Sequence, residues 1–547
     1  MFYKQEIKNK VRNASLSHAI QSLCANREMS CCVPNDYVYK VKEKLINSRN
    51  VYGKSAIKLK AEYIHLWEAL HQSTVGKKKP SELSVCYLSG PEPENDFNVL
   101  VEEGIHPHNI WAFELPGETY NDALKSIKQS AFPMLKLHKG KIENFFIDTP
   151  KKFDIVYIDA CGPLPSRTQN TLRIISTLFR YQRLSSLSVL ITNFACPDVN
   201  NAEMFNNYSY LLAHYLYPKS FLESYHNENN KSDHPLTDGA ITMGLLAESD
   251  KPEESFLDWI KQDFSHYYGQ YITRQIFDLS STITPWIRLA NSSYWSNFFL
   301  KPAKEISKYF INNVNFYNYL DNNIPFIEPD NHPLLSTFSD FYEYEKNKLD
   351  NSNNIMDDEI LNSFSKLLPS IRSFRDSYIE ELAGFPKMSI GVRESINCRG
   401  LLLESKKYYR NGLKQTIDEF KKLYMHHYCD APSIDIVLSP IFNQLLYPQH
   451  YSINPTRRWL YKAKKATMFT DVIVFDECRY IYEWLPTRDL VKEGFLDISQ
   501  QLSYRFALDG LAKNCRWYNP ECFGYVYVVD QSCEDFEAKI LKRRVEL

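Results

Sequence analysis

Ser84-Val-Cys-Tyr-Leu-Ser-Gly-Pro-Glu-Pro-Glu94 opens the stretch that decides the fold, and Phe153-Asp-Ile-Val-Tyr-Ile-Asp159 is its clearest strand. Between the two, Phe97, Leu100 and Val101 recur at helical spacing and stop at Gly104. Asn109-Ile-Trp-Ala-Phe-Glu114 is a second apolar run ending in a carboxylate, and a helical pattern covers Tyr120 to Gln129. A third strand-like run, Met134 to His138, meets Gly140-Lys141. Beyond Asp159 the chain opens into Ala160-Cys-Gly-Pro-Leu-Pro165, and a helix from Gln169 to Leu184 leads to a fifth strand, Ser188 to Phe194. Strands alternating with helices at this pace predict an α/β fold with a parallel, doubly wound sheet. The strands are apolar on both faces, as expected when helices cover both sides.

In such sheets ligands sit beyond the carboxyl ends of the strands, near the first strand-to-helix turn. Ser89-Gly90-Pro91 occupies that turn, and Gly90, having no Cβ, lets the backbone pass close to a ligand. Glu114 closes the second strand about twenty residues on, where a carboxylate accepts hydrogen bonds from ribose hydroxyls.

On these residues the stretch resembles the class I S-adenosylmethionine-dependent methyltransferases, over roughly residues 82–250. The places that match are Ser89-Gly90-Pro91, Glu114, Gly140-Lys141 and Asp159-Ala160, with Phe153–Asp159 the best single match. The resemblance implies that Ser89, Gly90 and Pro91 approach the amino-acid end of the cofactor and that Glu114 holds its ribose. It implies that Lys141 and Ile142 border the adenine, while Asp159 and Ala160 with Cys161, Gly162 and Pro163 face the methyl-transfer site and its acceptor. Asp159 would orient or deprotonate that acceptor, or ligate a metal as in some O-methyltransferases that share this strand. The loop after Asp159 also resembles the Asp/Asn-Pro-Pro-aromatic loop of amino-methylating enzymes, which points to nucleic acid as one acceptor class. Two departures stand out: the first turn carries one Gly with two Pro and two Glu, and Lys141 stands where the family has an acidic residue. They favour the alternative, a Rossmann-like scaffold that has lost catalysis and serves as an interaction subunit.

The 547 residues suffice for several domains. Hydrophobic content of 44% and charged content of 24% are those of a globular protein, and a net charge of −2 gives no global nucleic-acid footprint. Twelve Cys in this length do not form a dense disulfide framework. No run reaches the ~20 apolar residues that cross a bilayer. The expectation is a cytoplasmic protein with reduced thiols and no membrane contact.

Outside the central stretch, residues 1–80 carry helical patterns over Tyr37–Ile46 and Ser55–His71. Cys24, Cys31 and Cys32 lie close together without a second pair at finger spacing, so no metal site is assigned. Residues 81–250 form the Rossmann-like domain, with a late strand expected at Thr237–Leu246. Residues 251–348 are helical and rich in Trp, Tyr and Phe: a cap over the pocket or, more in keeping with aromatic stripes, a packing or homo-oligomer module. A polar linker covers 349–360. Residues 361–547 form a helical and α/β end piece, with a basic helical face from Lys406 to Lys422 and a strand, Asp471–Glu477, ending in two carboxylates. There Pro455-Thr-Arg-Arg-Trp-Leu-Tyr-Lys-Ala-Lys-Lys465 interleaves cations with aromatics, so Arg457 and Arg458 are candidate contacts to a nucleic-acid substrate or an acidic partner protein.

Overall fold

The computed structural model describes residues 6–47, 51–166, 169–216, 253–291, 447–463, 466–484 and 497–514, with short pieces in 410–418 and 528–547. The expected strand at Thr237–Leu246, the linker at 349–360 and most of the basic face between Lys406 and Lys422 lie outside the described residues.

One mixed sheet of eight strands organises the protein, in the order β3-β2-β1-β4-β5-β7-β6-β8. The first five are β1 (Val85–Leu88), β2 (Ile110–Glu114), β3 (Lys136–Lys139), β4 (Phe153–Asp159) and β5 (Leu184–Ala195). Neighbours among these five pair in parallel. β7 (Ala466–Asp476) runs antiparallel between β5 and β6 (His450–Ala463), and β8 (Val545–Glu546) lies parallel to β6 at the far edge. The C-terminal strands therefore join the same sheet as the central stretch, a pairing that local sequence pattern does not signal.

Alternation along each strand divides the core in two. Val85 and Tyr87, Ile155 and Tyr157, Val189 and Ile191, Val472 and Val474 face one side. That side is covered by α1 (Glu6–Leu23), α2 (Tyr37–Ile46), α3 (Val51–Ala56), α4 (Ala61–Val75) and α5 (Glu94–Glu102). Cys86, Val156, Ile158, Leu190, Ile473 and Phe475 face the other. There the cover includes α7 (Ile142–Asp148), α8 (Thr171–Arg180) and α9 (Ala202–Leu216), which follow α6 (Glu118–Gln129), together with the residues of 253–291. Burial on both faces is why the central strands β1, β4 and β5 carry apolar residues at successive positions. The late helices are α10 (Glu253–Gln262), α11 (Phe264–Asn291), α12 (Arg479–Tyr482) and α13 (Ile498–Asn514).

Three local readings shift. β3 starts at Lys136, two residues later than the apolar run, because Met134 is 90% exposed. The helix after the β4 loop stops at Arg180, and Leu184 already belongs to β5. Of the aromatics in 251–348, Phe264, Tyr268 and Tyr271 are buried in the core beside β5 and β7 rather than set above a pocket. No described helix is long and apolar enough to cross a membrane.

Candidate functional site at the carboxyl ends of the parallel strands

Parallel pairing brings Ser89-Gly90, Glu114, Gly140-Lys141 and Asp159-Ala160 to one edge of the sheet. Ser89 N–H bonds the Phe113 carbonyl at 3.0 Å, and Gly140 N–H bonds the Glu114 carbonyl at 2.9 Å, so the strand ends are tied in register. Gly90 has φ +64, and among the described residues, its two chain neighbours aside, no atom lies within 4 Å of where its Cβ would be. A glycine is required there because other residues pay to enter the left-handed region. The turn continues to Pro93, whose carbonyl accepts from the buried Tyr87 hydroxyl at 2.6 Å, while Pro91 is exposed.

The Glu114 carboxylate accepts from Leu115 N–H at 2.9 Å and from the Gly90 backbone N–H. Burial pushes its pKa up, and these two donors oppose that rise. Lys141 occupies the N-cap position of α7, with no side-chain capping bond, and is exposed; Ile142 points into the core.

Asp159 is the hub of a polar chain. Its Oδ1 accepts from Asn193 Nδ2 at 2.7 Å, and its Oδ2 lies 2.8 Å from Lys8 Nζ. Asn193 Oδ1 in turn accepts from Thr470 Oγ1 at 2.9 Å and from the Tyr461 hydroxyl at 3.2 Å. Burial would lower the Lys8 ammonium, but attraction to Asp159 outweighs it and leaves the pKa above the ordinary value. The Tyr461 phenol is raised by burial and by the nearby Asp159 charge.

One turn further along α1, Arg12 Nε pairs with Asp96 Oδ1 at 2.8 Å, in the first turn of α5. Burial pushes the Asp96 carboxyl up to about 6 despite that partner. His18 Nε2 hydrogen-bonds the Pro455 carbonyl at 2.6 Å. Helix α1 thus lies on one face of the sheet between α5 and β6, with its first turns at the edge where the parallel strands end.

The loop after Asp159 is held from behind by α11. The Tyr268 hydroxyl accepts from Leu164 N–H at 2.6 Å and donates to the Ala195 carbonyl at 3.3 Å. Ala160 N–H bonds the Asn193 carbonyl at 3.0 Å, and the Pro163 carbonyl accepts from Thr171 Oγ1 at 2.9 Å. A Cβ on Gly162 would fall 2.5 Å from Gln169 Oε1. Cys161 is exposed at the loop's tip.

Arg457 and Arg458 do not join this group as surface contacts of a loop. They lie within β6, where Arg458 is 3% exposed and donates to the Lys542 carbonyl at 2.6 Å and to Thr273 Oγ1 at 3.3 Å. Arg457 is half-buried and donates to the Asn454 and Thr456 carbonyls at 2.6 and 2.9 Å. A strand at the C-terminal half of the sheet needs Arg458 as a structural donor between β6 and the tail.

Sequence reasoning passed over Lys8, Arg12, Asp96, Asn193, Tyr461 and Thr470. Asn193 carried a usable signal: a buried amide among the apolar residues of the fifth strand demands partners. Lys8 and Arg12 stand four apart and so share a helix face, but nothing in that spacing names Asp159 or Asp96 as partners.

Comparison with protein-family models, with curated proteins and with solved structures finds no match to this chain.

Proposed function

We propose that the sheet is a doubly wound, Rossmann-like domain that binds S-adenosylmethionine, and that the chain is a divergent methyltransferase. The strand order β3-β2-β1-β4-β5 supports this, because doubly wound sheets of that order bind their ligand where the order reverses, between β1 and β4. The single observation that carries the reading is the meeting of Gly90 and Glu114 at one side of that reversal with Asp159 at the other.

Each group has a task suited to its surroundings. The open, left-handed Gly90 lets a ligand's amino-acid end approach the backbone. Glu114 accepts from ribose hydroxyls with the oxygen positions that Leu115 and Gly90 leave available. The cofactor supplies an electrophilic methyl group on a sulfonium sulfur. Asp159 receives a proton from the acceptor, or orients it, once Lys8 gives up its contact. In-line transfer asks mainly for positioning and exclusion of water, which α1 and the Tyr268-held loop provide. Acceptor classes in view are nucleic acid, protein and small molecules.

A second reading is an interaction subunit without catalysis. The observation favouring it is that Asp159 is already engaged by both Lys8 and Asn193.

Transfer of an isotopically labelled methyl group from S-adenosylmethionine to a panel of these acceptors tests the proposal. Label incorporation that falls in Asp159→Asn, in a protein of unchanged fold, is the expected result. No incorporation into any class would favour the second reading.

A further inference from the structure

At the opposite edge of the sheet, where antiparallel β7 ends, three potential ligands meet. One ligand atom each from Cys32, Asp476 and Cys478 lies within 4.8 Å of the others, and all three residues are buried. We infer that Cys32, Asp476 and Cys478 form a site for a thiophilic divalent cation of the zinc type, which clamps the N-terminal helical layer to the end of β7. This inference is independent of the methyl-transfer reading.

The donor set suits that ion. Zinc takes thiolate and carboxylate ligands in tetrahedral sites, with Zn–S about 2.3 Å, so two bound sulfurs lie about 3.8 Å apart. From a spacing within 4.8 Å, a contraction of at most about 1 Å between the sulfurs, and slightly more between sulfur and carboxylate oxygen, reaches that geometry. Binding releases the two thiol protons to solvent as both sulfurs become thiolates, and the carboxylate gives the third bond. The fourth position falls to water or to a neighbouring oxygen; the Tyr451 carbonyl already lies 3.7 Å from Cys32 Sγ.

The carboxylate is oriented as a ligand's would be. Asp476 Oδ2 accepts from Cys32 N–H at 3.0 Å and from the Tyr480 hydroxyl at 2.7 Å. Oδ1 accepts from Cys478 N–H at 2.8 Å, which leaves one acceptor position on that oxygen. Tyr480 also lies 3.7 Å from Cys478 Sγ, is packed on the His71 ring and accepts from Val33 N–H at 3.1 Å. Such outer contacts fix ligating groups and tune them. Cys478 itself sits at φ +49, a left-handed conformation that non-glycine residues adopt at a cost and that turns its N–H back to Asp476.

A second observation points to a cation. A buried carboxylate is costly unless a positive charge or a metal accompanies it. Among the described residues no lysine or arginine forms an ion pair with Asp476, whereas buried Asp471, Asp154 and Asp509 each have one. The neighbouring base is His71, whose Nε2 is engaged by the Val33 carbonyl at 2.9 Å. Cys32 and Asp476 stand 444 positions apart in sequence, so finger spacing could not reveal the set.

The test uses the full chain, purified under reducing conditions, with Zn2+ and Co2+ as probes. The expected result is about one tightly held zinc per chain. Cobalt exchange should then give thiolate-to-metal charge-transfer absorption, lost in Cys32→Ser with Cys478→Ser. If that double variant does not fold, alkylation of the wild-type chain decides: Zn2+ should protect Cys32 and Cys478 while exposed Cys161 still reacts. Absence of bound zinc in the folded protein overturns the inference. So does retention of the zinc by a folded double variant, alkylation of Cys32 and Cys478 unaffected by zinc, or isolation of the two sulfurs as a disulfide.

Discussion

Lys8 Nζ lies 2.8 Å from Asp159 Oδ2, joining the first helix to the carboxyl end of the fourth strand. The pair is partly shielded, with 25% and 11% of the two side chains exposed, so it is worth more than a freely solvated ion pair but not by much. Lys8→Ala is expected to lower stability by about 1 kcal/mol. Urea unfolding of the variant beside wild type measures this, and an unchanged midpoint would show that α1 is not held by Asp159.

Asp96 supplies a pH dependence of definite sign. Its folded pKa of about 6 stands above the ordinary carboxylate value of 3.8, so the folded protein binds the proton more tightly than the unfolded chain. The contribution is therefore fully favourable at low pH and is lost as pH rises from about 4 to about 6, on the order of 3 kcal/mol in all. Asp96→Asn removes the titration while keeping the shape. Unfolding free energies across that window should fall less steeply in the variant, and equal slopes would contradict the assignment.

Gly90→Ala separates backbone cost from ligand space. Among the described residues, its chain neighbours aside, no atom would meet the new Cβ, so the expected loss of stability is the left-handed strain, about 1 kcal/mol. The same methyl group points into the space assigned to the cofactor. S-adenosylhomocysteine binding should fall far more than stability does, as calorimetry and thermal unfolding together would report. Unchanged binding would place the ligand elsewhere.

Arg544 and Asp471 lock the tail to the sheet. Both are nearly fully buried, and Arg544 also donates to the Gly269 carbonyl at 2.7 Å and to Thr273 Oγ1 at 3.1 Å. Removing the cation leaves the buried Asp471 carboxylate without its ion-pair partner, with Thr273 Oγ1 still donating to it at 2.6 Å. Arg544→Ala is expected to cost about 3–5 kcal/mol, the range for breaking a buried pair. Chemical denaturation checks it, and a loss under about 1 kcal/mol would mean the tail is not held there.

Much of the parallel half was legible because its elements are local. Tyr37–Ile46 is a helix with those ends, and β2 and β4 finish at Glu114 and Asp159 as their apolar runs do. The carboxyl-edge grouping followed from strand direction alone. What the sequence withheld depends on distant pairing. The amide of Asn193 finds Thr470 277 positions away, and β7 enters beside β5 with no turn or spacing to announce it. Arg458 shows the same limit from the other side: a cation next to Trp459 has the composition of a nucleic-acid contact, yet pairing in β6 buries it.

Calorimetric titration of the purified chain with S-adenosylhomocysteine, beside Glu114→Ala, tests the proposed cofactor site most directly because it needs no knowledge of the acceptor. The proposal predicts saturable binding at one site, abolished or strongly weakened when the ribose-accepting carboxylate is removed. No heat from a folded, ligand-free wild-type protein, or equal binding by the variant, would contradict it.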